Sequence, residues 1–468
     1  MASKALACVL VLGLALILVG CGDEAAREPA VTGPGKAAAG SATAGDPAAA
    51  AFAVAWCTDA DPEKAAKTAA TNAIAQLGCP AKAIVFYEYF PKTAKDKEGK
   101  DKEVPDTDKE QKVLPALRSA AKDIPVIGCR ARSLVNGGTK LTDTVAVLAI
   151  GGEKVACKAV KIALADDRLA VGKGIAAGLK DVADLKIVFA LSEMRLSFET
   201  KDDVSVEDLI RGVLTTAGKD VVLFGGNCMP NDYETDKAGV QFFNDETLAG
   251  HVVAMGIGGP IAVYANHTNE FEPSAETVKV TKAKDKWVHE LDGKPAADVY
   301  RQLRGMKPDE AFTSDDQHPI GVIVAPDKVY LRMVLEGDKE KKGLRFVAAV
   351  PVGTEVKILK GGADASAILA SATEGIVESV KKAGDAKPLV ALVSDCCARG
   401  ARLRKLRASD DECEVRQAIL PALGDQAGFP IFGFYAWGEL GPIAGPFRGL
   451  TCMYQQHTFV SVVVCEAD

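Results

Sequence analysis

Arg399 and Glu439 are the two side chains whose types and placing most invite chemistry. Arg399 closes the apolar run "PLVALVSDCCAR" (388–399), and Glu439 interrupts "FPIFGFYAWGELGPI" (429–443). If these runs form neighbouring parallel strands, their C-terminal ends share the edge at which open α/β sheets place ligands. A guanidinium there offers a planar fork to a carboxylate, and a carboxylate offers an acceptor to an ammonium. Together they would cradle a small polar, amino-acid-like ligand. The same two groups could instead satisfy one another as a buried ion pair, since each charge-assisted hydrogen bond is worth about 1.5–3 kcal/mol. Gly438 permits a turn or a close backbone approach. Tyr435, and His457 in "QQHTFV" (455–460), are candidate walls of the same site, with core packing the alternative for Tyr435. The candidate ligand-binding set is Arg399, Glu439, Gly438, Tyr435 and His457.

A second chemistry rests on sulfur. A Cys396 or Cys397 thiolate with His457 as its base would make a cysteine-dependent hydrolase or transferase; a buried or disulfide-bonded thiol is the plainer reading. Of the twelve cysteines, ten remain once Cys8 and Cys21 are set aside. Cys57/Cys79 and Cys452/Cys465 are disulfide candidates outside the cytosol, and small buried thiols are the equal alternative. No C-x-x-C, G-x-S-x-G, H-E-x-x-H or complete P-loop occurs. The stretch "VGKGIAAGLKD" (171–181) misses the dinucleotide fingerprint and reads as a glycine-rich helix start. No catalytic residue, metal or cofactor is assigned.

These residues need elements to hold them, and the chain supplies a threefold recurrence of strand, amphipathic helix, second strand ending near a glycine, loop and third strand. The first copy runs through "AIVFYEYF" (83–90), a helix near 112–122, "IPVIGC" (124–129) and "TVAVLAI" (144–150). The second runs through "LKIVFALSE" (185–193), a helix over 205–218, "DVVLFGG" (220–226) and "GHVVAMGI" (250–257). The third runs through "PLVALVSD" (388–395), a helix over 413–424, "FPIFGFY" (429–435) and "HTFVSVVV" (457–464). Further helices start near Ala65 and Ala365. Between copies two and three, short strands joined by "APDK" and "EGDKEKKG" predict an antiparallel meander. The mixed-charge run 92–112 reads as a solvated loop that binds nothing. The expected fold is α/β (α+β), with repeated strand-helix-strand units in mixed sheets flanked by helices.

With 468 residues, 48% of them apolar, the chain can bury more than one ordinary core. Its formal charge of −7 opposes a nucleic-acid surface. "MASKALACVLVLGLALILVGCG" has the lysine, apolar run and small residue of a secretory leader, and its apolar run is short for a membrane span. Leu18-Val19-Gly20-Cys21 resembles a bacterial lipobox, which implies cleavage after residue 20 and acylation (palmitate) of Cys21. Multiple acyl chains would hold the protein stably on a membrane without crossing it. The Ala/Gly/Pro-rich stretch 21–53 reads as a tether. The expected location is the bacterial cell envelope, lipid-anchored and extracytoplasmic.

Several stretches together resemble one family, the FIST sensory domains. "VIGCRAR" (126–132), "VVLFGGNCMPND" (221–232) and "VHELDGKPAADVYRQL" (288–303) are similar to its N-terminal domain. "HPIGVIV" (318–324), "LRFVAAVPVGTEVKIL" (344–359), "ALVSDCCAR" (391–399) and "GFYAWGELGP" (433–442) are similar to its C-terminal domain. The resemblance implies a two-part FIST-like architecture, here 54–305 and 317–468, and a sensor of a small ligand such as an amino acid. It also departs from the family: Gly128-Cys129 continues as Arg130-Ala131-Arg132, and the family's terminal His-Asn before Thr stands as Gln456-His457-Thr458. No kinase, cyclase or receptor segment is recognised, so a signal would leave through a protein partner. A membrane-surface scaffold for such a partner is the remaining alternative.

Overall fold

The computed structural model describes residues 49–467 except 97, 136–141, 197–202, 233–235, 309, 311–318, 326–327, 338–339, 341, 362–364, 408–417, 427 and 448. The leader, Cys21 and Cys413 lie outside the described residues.

Three units repeat one plan. The first holds β1 (Ala51–Thr58), α1 (Pro62–Leu77), β2 (Ala81–Tyr89), α2 (Val113–Ala121), β3 (Val126–Arg130), β4 (Ser133–Val135) and β5 (Thr144–Gly151). The second holds β6 (Ala156–Ala163), α3 (Arg168–Gly178), β7 (Leu185–Ser192), α4 (Val206–Ala217), β8 (Val222–Asn227), β9 (Gln241–Phe243) and β10 (His251–Gly258). The third opens with β11 (Ile261–Thr268) and, after an inserted region, continues with α5 (Ala365–Ala383), β12 (Pro388–Cys396), α6 (Cys397–Arg407), β13 (Ile431–Ala436), β14 (Glu439–Phe447), β15 (Leu450–Gln455) and β16 (Phe459–Glu466).

Within each unit the strand order is the same: β1-β5-β2-β3, β6-β10-β7-β8 and β11-β16-β12-β13. The last two strands of each set run parallel and the others antiparallel. The sheets then exchange strands in a ring. β9 of the second unit pairs with β3, β14 of the third pairs with β8, and β4 of the first pairs with β13. The outer edge of each unit's last parallel strand, which would otherwise present unpaired amides and carbonyls, is thus filled by another unit.

Alternation along the strands builds two layers of core. In β2, Ala83, Val85 and Tyr87 join Phe189, Leu191 and Phe224 of the second unit and Leu392, Phe432 and Val462 of the third in one interior cluster. Ile84 and Phe86 face the other way, onto α1 and α2. Tyr87 stacks on Phe432 and Phe434 at 4.6 Å each, which ties the first unit to the third. Strands buried on both faces read as continuous apolar runs, as these do.

One glycine recurs in each last parallel strand. A Cβ at Gly128 would meet the Phe86 ring at 2.5 Å, one at Gly225 the Ala190 carbonyl oxygen at 1.9 Å, and one at Gly433 Val393 at 2.7 Å. Each lies beside its register partner in the neighbouring parallel strand, so the sheet itself demands the missing side chain. The glycine-rich 171–181 stretch falls largely in α3, where Gly172 lets the Leu209 carbonyl of α4 approach.

The insertion, 271–361, forms a nine-stranded sheet with a helix at Ala296–Arg304, whose side chains merge with the core around α3 and α4. The expected meander is present, in hairpins such as Ile320–Ala325 with Lys328–Arg332.

Three expectations are corrected. The charged run after residue 90 is a hairpin, Pro91–Lys95 with Asp101–Pro105, held by Lys102–Asp232 at 2.5 Å and by Glu103 bonded to Arg132 and Tyr89. After β12 the chain turns directly into α6, whose basic sequence "CARGARLRKLR" has no apolar stripe to announce it; of the helix expected over 413–424, residues 413–417 lie outside the described residues and a short turn, Leu420–Leu423, is present. All nine described cysteines are free. Cys57 pairs with Val145 at one end of β5 and Cys79 lies against Gly151 at the other, about 20 Å apart at 3.3 Å per strand residue. Cys452 and Cys465 sit in different sheets.

Gly225→Ala should lower stability by about 1–3 kcal/mol or more, because overpacking adds to an unfavourable φ of +140°. Gly428→Ala, in open space, should be neutral or gain up to about 1 kcal/mol. Urea unfolding midpoints of the two variants check this.

Candidate functional site

The C-terminal ends of β12 and β13 bring the predicted residues into one neighbourhood, divided by the sheet. Asp395 stands opposite Tyr435, and Cys396 opposite Ala436. On the helix-facing side, one turn into α6, the fully buried Arg399 donates from Nε to Asp395 Oδ1 at 2.7 Å and from Nη1 to Glu270 Oε2 at 2.5 Å. Its Nη2 donates to the Ser371 hydroxyl at 3.0 Å and the Ile368 carbonyl at 3.1 Å. Arg402 reaches the other oxygen of Glu270 at 3.5 Å. Charges thus alternate Asp395, Arg399, Glu270, Arg402, and the fork of Arg399 is taken by the protein's own groups.

Tyr435 is buried on this same side with the α5 and α6 core, its ring where a Cβ on Gly400 would sit. His457 is buried with its ring edge-on to Phe271 at 5.6 Å. Burial pushes the imidazole down to about 4; the nearby Arg402 and Arg399 add to this while Glu270 opposes it. Its φ of +51° belongs to the fold rather than to a strained site, because the equivalent residues before β5 and β10, Asp143 (+51°) and Gly250 (+71°), share it.

Glu439 turns the other way. Gly438 (φ +115°) makes the bend, where a Cβ would fall 1.6 Å from the Tyr454 hydroxyl. Glu439 then opens β14, between Gly226 of β8 and Gln455 of β15. The expected position at the edge of a sheet is therefore corrected: Glu439 lies inside the second unit's sheet and is fully buried. Gly441, on the same face, abuts Val460 of the interior cluster. One Glu439 oxygen accepts the Thr458 amide at 3.3 Å, and the other, without a hydrogen bond of good geometry, belongs to a carboxyl with the Cys396 sulfur beside it. Burial first, and then the Cys396 sulfur beside it, push this carboxyl well above the usual range. The expected Arg399–Glu439 ion pair is not formed; each group has its own neighbours.

Sequence reasoning missed the groups around Glu439. Ser394, fully buried, has no partner for its hydroxyl, which lies 3.2 Å from a Cβ built on Gly226. Gln455 donates to the Gly441 and Pro442 carbonyls at 3.1 and 3.0 Å, leaving its own side-chain oxygen unbonded. The only signal for Ser394 is a polar residue at the end of "ALVS"; Gln455 carries none, because only the folded pairing of β15 with β14 brings it beside Glu439. Glu270, which anchors Arg399 from beyond β11, was equally illegible.

Cys396 does not meet a histidine base. Its sulfur shares a hydrogen bond with Cys397, which together with burial pushes the thiol up, and the His457 contact is the backbone amide. Among the described residues no group of three His, Cys, Asp or Glu side chains is placed to hold a metal.

Models of two families match the chain in tandem: the FIST N domain over residues 103–294 and the FIST C domain over residues 296–442. The chain belongs to the FIST family. FIST domains are sensory domains that bind small ligands, and the FIST C match includes Arg399, Tyr435, Gly438 and Glu439. The matches leave out β1, β2 and β16, which the sheets of this FIST protein require. No curated protein matches the chain. Among solved structures, a cyanuric acid hydrolase from A. caulinodans is similar at 11% identity and a TM-score of 0.34, over 90% of this chain and 100% of that one. A likeness that distant says nothing further about this protein.

Removing Arg399 strands two buried carboxylates. Arg399→Met should cost about 3–5 kcal/mol, with Arg399→Lys intermediate, read as urea midpoints. For Glu439 the folded state holds a proton that the unfolded state releases above the usual carboxylate range, so its contribution to stability falls as pH rises. Glu439→Gln should therefore gain stability relative to the native chain as pH rises above the usual carboxylate range, and a parallel pH dependence in the two proteins would refute the raised acid.

Proposed function

We propose that this protein is a lipid-anchored, extracytoplasmic sensor that receives a small polar ligand on the interior side of the third unit's strand ends. The observation that supports the reading is the set of unbonded buried atoms there: Ser394 Oγ, Glu439 Oε1 and Gln455 Oε1. Leaving one buried polar atom unpaired costs about 1–3 kcal/mol, so three of them together favour a hydrogen-bonding occupant. Acceptors predominate among them. That favours a ligand head rich in N–H donors, such as the ammonium of an amino-acid-like solute. An arriving cation lowers the pKa of the adjacent acid, and Glu439 then releases its proton as the ligand binds. Arg399, with Tyr435 and His457 on the other face, serves to fix α6 and β12 beneath the site. Gly438 sets the bend that delivers Glu439.

The anchor rests on Leu18-Val19-Gly20-Cys21 and its apolar leader. Among the described residues no helix is long and apolar enough to cross a membrane. A sensor held this way passes its signal to a protein partner at the membrane surface.

Two measurements test these readings. Calorimetry with a panel of amino acids in buffers of different ionisation enthalpy should show about one proton released per ligand bound, lost in Glu439→Gln; no binding by any member would remove the amino-acid reading. Cys21→Ser should abolish palmitate labelling and shift the protein from the detergent to the aqueous phase, and an unchanged partition would remove the anchor.

A further inference from the structure

We propose that Cys397 and Cys396 form a thiol-modification site, at which a low-molecular-weight disulfide is reduced as a reversible disulfide closes between the two neighbouring residues. Cys396 is the last residue of β12 and Cys397 the first of α6, so the two thiols adjoin at the junction of strand and helix. Their exposures differ in the way an attacking and a resolving thiol require: Cys397 is half-buried and reachable, Cys396 is buried. The neighbouring Cys397 and burial push the Cys396 thiol up, and the amides of Ala398 and His457 oppose this. Glu439, with one oxygen unbonded, lies against the same sulfur.

The exchange balances without another reactant. Cys397 sulfur attacks one sulfur of the small disulfide, forming a mixed disulfide, and its proton leaves with the first small thiol. Cys396 sulfur then attacks Cys397 Sγ, the mixed disulfide breaks, and the Cys396 proton leaves with the second small thiol. Two protein thiols are oxidised and one small disulfide is reduced. Consecutive Cα atoms are 3.80 Å apart, short of the 4.4–6.8 Å usual for a disulfide, so the bond is strained and easily reduced. It suits a reversible mark and not a structural staple. Closing it draws the Cys396 sulfur off Glu439 and reshapes the first turn of α6, which carries Arg399.

The test treats the purified full chain with oxidised glutathione and weighs the tryptic peptide that ends at Arg399. The expected result is a peptide lighter by two hydrogen atoms, restored by dithiothreitol. Cys396→Ser should stop at a stable glutathione adduct, and Cys397→Ser should take up no glutathione in the same time. An unchanged native peptide, an adduct in the native chain that never resolves, or a Cys397→Ser protein labelled as fast as the native one would each overturn the proposal. The mass readout needs no ligand, so it stands or falls apart from the reading of the interior site.

Discussion

The exchange of strands around the ring is the constraint on which the rest of this structure depends. Each unit ends in a parallel strand whose outer edge must be paired, and each edge is filled from a different unit: β9 on β3, β14 on β8, β4 on β13. No unit can complete its sheet alone. The exchange also draws the three sheets face to face, so that Tyr87, Phe189 and Val462, from three units, share one interior cluster.

That closure determines where polar groups can sit. A strand crossing from one sheet into another must bend, and the bend between β13 and β14 is made at Trp437–Gly438. The residue immediately after it begins the new strand inside a foreign sheet, and here that residue is Glu439. A carboxyl in such a position has no solvent and few donors, and it is pushed well above the usual range. Arg399 lies one helical turn beyond the end of β12, on the opposite face, paired with Asp395 and Glu270. The raised acid follows from the crossing, while the saturated arginine is fixed by β12, α5 and the segment after β11.

The same plan explains features that look like site strain when met singly. His457 has left-handed backbone because the residue before each unit's closing strand does, whether Asp143, Gly250 or His457. Gly128, Gly225 and Gly433 repeat for a shared steric reason. Buried polar side chains with unbonded atoms stand at the corresponding ends of the other units too, Glu88 in β2 and Gln241 in β9, so each unit's strand ends carry a polar set of their own.

The sequence by itself determined the three central strands of each unit, most of the helices against them, the recurring glycine and the apolar alternation, because these follow from local periodicity and local sterics; α6, with no apolar stripe, was not among them. It also brought Arg399, Tyr435 and Glu439 to strand ends. Only the tertiary structure decided which strand lies beside which, and so placed Glu439 within a sheet, brought Gln455 beside it, and gave Arg399 to Glu270. The physical reason is that backbone hydrogen bonds are alike for any partner strand. Alternation states which face of a strand is buried, while the identity of its neighbour is settled by the closure of all three sheets together.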